Sequence, residues 1–82
     1  MTNNKLTKIR TWTLELSKTN IPNLTDFCRE FLFQININYT GNKKDQDGVH
    51  KALFTDNSKG INYMWYSAVQ DGNILTLRLK EI

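Results

Sequence analysis

Apolar and polar residues follow two different periods along this chain. Between residues 8 and 16, Trp12, Leu14 and Leu16 alternate with polar side chains, which predicts a half-buried β-strand. A later stretch repeats with the helical period, because its apolar residues fall on one stripe of a helix. The members of this stripe are Leu24, Phe27, Cys28, Phe31, Leu32 and Ile35. The pattern therefore predicts a strand followed by an amphipathic helix.

Neighbouring residues indicate where the helix begins and ends. Pro22 suits the entry into a helix, and the side-chain oxygen of Asn23 is suited to cap the first turn. Apolar residues over 33–39 also alternate with Gln and Asn as they would in a strand, so the two periods overlap there. We expect a helix to about Gln34 and then an extended segment to about Thr40.

The C-terminal part of the chain predicts a β-hairpin. Segments 61–70 and 73–81 flank Asp71-Gly72, a dipeptide that tolerates the positive φ angles of a two-residue type I′ turn. On one side of such a hairpin the facing pairs are apolar: Ala68 with Leu75, Tyr66 with Leu77 and Met64 with Leu79. The other side includes two pairs of an aromatic and a basic residue: Trp65 with Arg78 and Tyr63 with Lys80.

These elements combine into one predicted fold. A polar loop is expected over 41–48, turn-forming residues fill 56–60, and 49–54 between them suits a strand although a helical turn would also fit. The order β-α-(β)-β-β-β predicts an α+β fold, a small antiparallel sheet with one amphipathic helix packed on one face. We expect residues 1–82 to form a single domain with a flexible N-terminus over 1–6.

Composition indicates the size, the charge and the expected location of the protein but says little about its function. The chain has 82 residues, of which 39% are hydrophobic and 23% charged, as in one folded domain. Its 11 basic and 8 acidic residues give a net charge of +3, and Lys43-Lys44 is the one adjacent basic pair. The sequence offers no secretory leader and no membrane-spanning run, so a cytoplasmic location is expected.

The residues that most often carry chemistry do not form a catalytic or metal-binding pattern. Asp45-Gln46-Asp47-Gly48 resembles part of a calcium loop, but Lys43 and Phe54 would then occupy ligand positions. Cys28 lies in the apolar helix stripe, where burial makes a thiol unreactive, and the single histidine, His50, has no catalytic signature around it. We therefore predict no catalytic residue, no metal site and no cofactor.

The aromatic and basic side of the hairpin is the candidate binding site, formed by Tyr63, Trp65, Arg78 and Lys80. Trp, Tyr and Arg are enriched at protein-binding hot spots. The preferred hypothesis is a non-enzymatic protein-binding module, such as a small phage-type regulator or inhibitor that occupies the surface of a partner protein. The alternative is a single-stranded nucleic-acid-binding protein that stacks bases on the aromatic rings. The same side chains would serve only to pack the sheet if another segment covers them.

Overall fold

The computed structural model describes residues 8–82, which form a five-stranded antiparallel sheet and one helix. The elements in chain order are β1 (Ile9–Glu15), α1 (Leu24–Gln34), β2 (Ile37–Lys44), β3 (His50–Asp56), β4 (Ile61–Asp71) and β5 (Ile74–Glu81). The strands lie in the order β1-β5-β4-β3-β2, so β2 to β5 form a meander and β1 pairs with β5. The predicted α+β fold is confirmed. The predicted flexible N-terminus lies outside the described residues.

The helix begins and ends where the sequence indicated. The Asn23 side chain accepts a hydrogen bond of 3.1 Å from the backbone N–H of Asp26, which satisfies one of the free donors of the first turn. After Gln34, Ile35 leaves the helical conformation and Asn36 adopts a positive φ of 70°, which turns the chain into β2. Ile35 therefore lies beyond the helix and is exposed, contrary to its predicted place in the apolar stripe.

The core lies between α1 and one face of the sheet. Cys28 and Leu32 of the helix are fully buried, as the stripe predicted. From the sheet, alternate residues of β5 meet them, and each of these leucines is also fully buried: Leu75, Leu77 and Leu79. Burial of each large apolar side chain contributes about 1.5–3 kcal/mol, so this layer is the main stabilising feature of the domain.

The β4–β5 hairpin is present, but its predicted register is wrong. Asp71 pairs with Ile74, so the two turn residues are Gly72 and Asn73 and not Asp71-Gly72. Gly72 has a φ of 62° and Asn73 has no positive φ, a combination typical of a type II′ turn, which requires glycine at its first central position. The glycine therefore occupies the first and not the second position of the turn.

A β-bulge then changes which side of β4 faces the core. The pairing shifts between Trp65 and Ser67, leaving Tyr66 as the extra residue. An extra residue reverses the side on which every later side chain of that strand lies. Trp65 consequently pairs with Leu79 on the core face, whereas Tyr66, predicted to face Leu77 in the core, is 53% exposed.

β2 is longer than the sequence suggested. It continues to Lys44, through part of the predicted polar loop, because 42–44 pair with 50–52 of β3. A second bulge lies between Tyr39 and Gly41, and Gly41 has a φ of 145°. Polar residues form this strand because β2 is an edge strand of the sheet, so its outer side chains remain in water. In residues 8–82 no helix is long and apolar enough to cross a membrane.

Candidate functional site

The bulge separates the four residues of the predicted binding site. Tyr63 pairs with Glu81 and is almost fully buried, while Trp65 pairs with Leu79 and is half-buried. Arg78 pairs with Ser67, and Lys80 pairs with Met64, on the opposite face of the sheet. The predicted pairs Trp65 with Arg78 and Tyr63 with Lys80 are therefore wrong. Whether these residues bind a partner stays a prediction.

Two of the four, Trp65 and Lys80, nevertheless line one groove. This hairpin groove has a volume of about 460 Å³ and lies between the β2–β3 hairpin and the strands β4 and β5. Four lysines and a short apolar wall line it: Lys43, Lys44, Lys51 and Lys80 with Met64, Trp65 and Tyr66. Arg78 and Tyr63 are not among its lining residues.

The strand register explains why three of the four lysines of the hairpin groove, Lys43, Lys51 and Lys80, come together. Paired residues of neighbouring strands lie on the same face of a sheet, and alternate residues of one strand do so as well. Lys80 pairs with Met64, Met64 pairs with Leu53, and Lys51 lies two residues from Leu53. Lys51 in turn pairs with Lys43. These residues thus share the face that points away from the helix core.

The acidic loop at the tip of the β2–β3 hairpin offsets only part of this positive charge. Asp45 and Asp47 also line the hairpin groove, so four lysines stand against two aspartates. The Asp45 carboxylate accepts hydrogen bonds of 2.9 Å from the backbone N–H groups of Val49 and Asp47, and lies 3.9 Å from Lys51. These hydrogen bonds, and then the charges of Lys51 and Lys80, lower the pKa of Asp45. This carboxylate stays ionised and serves its own turn, as expected for a solvated acidic loop.

Trp65 and Tyr66 give the hairpin groove a wall of two aromatic side chains with different environments. The Trp65 ring lies 6.5 Å from the Phe54 ring at an angle of 36°, so core packing holds it in place. Tyr66 sits on the bulge and is mostly exposed. A packed aromatic ring beside several lysines suits a ligand that combines apolar groups with negative charge.

A second exposed surface lies at the corner between α1 and β2. Phe33 is 68% exposed there, and the Arg29 guanidinium stacks on the Tyr39 ring at 3.9 Å. Asp26 and Glu30 line the same corner, so its charges are mixed. Arg29 already has an aromatic partner, and the corner lacks the excess of positive charge that distinguishes the hairpin groove.

Cys28 and His50, the residues most suited to nucleophilic or metal chemistry, lie in environments that do not favour it. Cys28 is buried as predicted, and desolvation raises the pKa of its thiol to about 11, so it is protonated at neutral pH. His50 is exposed at the start of β3. Throughout the described part of the chain, no three His, Cys, Asp or Glu side chains are grouped to hold a metal ion.

Sequence reasoning missed three lysines and one tyrosine of the hairpin groove. Lys43 and Lys44 form the one adjacent basic pair of the sequence, but their polar neighbours predict a loop there. The alternation of Lys51 with Leu53 was a usable strand signal, since it sets a lysine and an apolar residue on one face. Tyr66 depended on the bulge, for which the sequence carries no local signal such as a glycine.

Comparison with known proteins does not extend this picture. No family model, no curated protein and no solved structure matches the chain.

Proposed function

We propose that this protein is a non-enzymatic protein-binding module whose hairpin groove binds an acidic segment of a partner protein. The observation that carries the proposal is the gathering of four lysines from three strands beside Trp65 and Tyr66. An excess of positive charge in a concave surface accelerates encounter with a negatively charged partner and helps to orient it. The module would act by occupying the surface of its partner, as a regulator or an inhibitor does.

Surface recognition fits the chemistry of this chain better than catalysis. The strongest nucleophile in the described residues, Cys28, is buried and its pKa is about 11. The one deeply buried carboxylate, Asp56, accepts hydrogen bonds from the backbone N–H groups of Ser58 and Lys59 and lies 3.7 Å from Arg10. Such a carboxylate stabilises a turn and an ion pair, and it is not free to act as a general base.

A single-stranded nucleic acid is the second candidate ligand, because lysines also bind phosphates and Tyr66 is exposed enough to stack on a base. Platforms of this kind stack successive bases on several open rings. In the hairpin groove Trp65 is half-buried against Phe54, which leaves Tyr66 as its mostly exposed ring. The geometry therefore supports an acidic polypeptide more than a nucleic acid.

Binding of two labelled probes decides between these candidates. The first probe is a fluorescein-labelled peptide of alternating Glu and Val, and the second is an oligothymidylate of matched charge. Fluorescence anisotropy would follow both probes with the wild type, the groove variant Lys51→Glu/Lys80→Glu, and Arg78→Glu as a control on the same face but outside the groove. We expect the peptide to bind more tightly and the groove variant to lose about tenfold or more in affinity.

The control variant and the salt dependence give the opposing outcome. Arg78→Glu should retain the peptide affinity within about threefold, since the charge it reverses lies outside the hairpin groove. Equal losses in both variants would mean that net charge, and not the groove, holds the peptide. Tighter binding of the oligothymidylate, with log affinity falling linearly against log salt, would favour the nucleic-acid candidate. Thermal melts of each variant would confirm that the fold is retained.

A further inference from the structure

The hairpin groove lies where the sheet stops being continuous. β3 and β4 pair from Asp56 with Ile61 to Leu53 with Met64, and the ladder ends there. β3 extends beyond this point to His50, and β4 extends to Asp71. Among residues 8–82, the strand that pairs with β4 from Trp65 to Asp71 is β5 alone. One side of β4 is therefore a free strand edge inside the fold.

The bulge at Tyr66 explains why the ladder ends. A bulge strengthens the local twist and bends its strand away from the neighbour. The last pair between β3 and β4 is Leu53 with Met64. The bulge begins immediately after Trp65, the next residue of β4, so the added twist starts where the ladder ends. The bulge in β2 at Thr40 adds a second bend on the other side of the gap. The two hairpins then diverge, and the hairpin groove opens between them.

Solvent reaches this free edge where it begins, at Trp65 and Tyr66. Lys51 belongs to β3 and Tyr66 belongs to β4, and both line the same open groove. The space between the two strands is therefore not filled by the core. Backbone N–H and C=O groups along an unpaired strand edge readily pair with an extended segment of another chain.

We infer that the free edge of β4 accepts the partner segment as an added β-strand, with alternating acidic and apolar side chains. This inference rests on the proposed function and specifies how the partner is bound. Alternate side chains of an added strand would lie on opposite faces of the sheet. One set would face the lysine side of the groove, with Lys51 and Lys80, and the other the half-buried apolar side with Trp65 and Ala52.

Charge complementarity selects the acidic set and the half-buried aromatic surface selects the apolar set. Main-chain hydrogen bonds to β4 would supply affinity, whereas these side chains would supply specificity. A uniformly acidic segment would offer no apolar side chains to the Trp65 side. A uniformly apolar segment would leave the lysines without counter-charges. The alternating pattern is therefore part of the inference.

Backbone N-methylation of the Glu-Val peptide tests strand addition separately from groove binding. In an added strand the N–H groups of alternate residues point to one side, so those of either the Glu set or the Val set donate to β4. Two peptides would be compared with the parent, one methylated at the Glu amides and one at the Val amides. We expect one methylated peptide to lose about tenfold or more in affinity and the other to bind within about threefold of the parent.

Each outcome has a defined meaning. Parent-like binding of both methylated peptides would overturn strand addition and leave the proposed function standing. Loss of both would place the segment between β3 and β4, paired on both sides, and would support strand addition. If the parent peptide does not bind, or if Lys51→Glu/Lys80→Glu does not weaken its binding, the proposed function and strand addition are overturned together. Hydrogen exchange gives an independent reading, since strand addition should slow exchange of amides over 66–70.

Discussion

The two ends of the β3–β4 contact differ in what they do for the protein. In the closed half of the sheet, all five strands are linked through paired residues, which form one row: Ile9, Lys80, Met64, Leu53 and Gly41. In the open half, beyond Leu53 and Met64, the two hairpins diverge and the hairpin groove lies between them. The closed half holds the fold together, and the open half contains the unpaired edge of β4, to which we propose that a partner binds.

Aromatic packing and an ion pair with one buried partner, Asp56, strengthen the closed half. Phe54 and Tyr63 pair directly across β3 and β4, and each is almost fully buried. Arg10 donates a hydrogen bond of 3.0 Å to the hydroxyl of Tyr63 and lies 3.7 Å from the carboxylate of Asp56. These contacts connect β1 to β3 and β4 across the width of the sheet. The open half has no equivalent link between β3 and β4 among the residues described.

Substitutions in the two halves should differ most in how far they lower the free energy of unfolding. Phe54→Ala removes a buried ring that contacts Tyr39 and Trp65, so we expect the free energy of unfolding to fall by about 3–5 kcal/mol. Val69→Ala lies on the exposed side of β4 in the open half, and we expect a loss of less than about 1 kcal/mol. Urea titrations of both variants would measure the difference. Similar losses for the two variants would contradict a division of the sheet into halves of unequal stability.

A smaller effect concerns the pH dependence of the β2–β3 hairpin. The pKa of Asp45 is held below its ordinary value of 3.8 by hydrogen bonds from Val49 and Asp47 and by Lys51. A carboxylate with a depressed pKa stabilises the folded state above its unfolded pKa, and this contribution is lost as the pH falls through the folded pKa. Acidification below about pH 4 should therefore loosen the hairpin tip before the core responds.

Carbon-detected NMR titration of the Asp45 carboxyl would measure this pKa directly. We expect the pKa of Asp45 to lie below its ordinary value of 3.8. Lys51→Gln should raise the Asp45 midpoint partway, because the backbone hydrogen bonds from Val49 and Asp47 remain. A pKa of Asp45 at or above 3.8 would show that these contacts do not persist in solution.

Local sequence patterns predicted most of the fold because its elements obey local rules. The Asn23 cap, the end of the helix at Gln34 and the burial of Cys28 and Leu32 follow from spacing and capping chemistry alone. The edge strand β2 was underestimated beyond Thr40 because its residues there are polar. A polar strand at a sheet edge has the same composition as a loop, so only its pairing with β3 distinguishes the two.

The candidate site was harder to predict than the fold, since it depends on register. A single extra residue at Tyr66 moved Trp65 to the core face, and the turn at Gly72-Asn73 placed Arg78 opposite Ser67. The hairpin groove, like the predicted site, combines aromatic and basic residues, and Trp65 and Lys80 belong to both. The lysines that join them come from β2 and β3, whose approach is set by pairing between distant residues and not by any local pattern.

Mapping the Glu-Val peptide onto the protein by NMR tests directly whether the hairpin groove binds an acidic segment. Amide chemical shifts of the ¹⁵N-labelled protein would be followed during titration with the peptide. We predict that the largest shifts occur along the hairpin groove, at Lys51, Ala52 and Tyr66, with little change at Thr13 on β1. Shifts centred instead on the corner at Phe33 and Tyr39, or spread evenly over all lysines, would show that the hairpin groove is not the binding site.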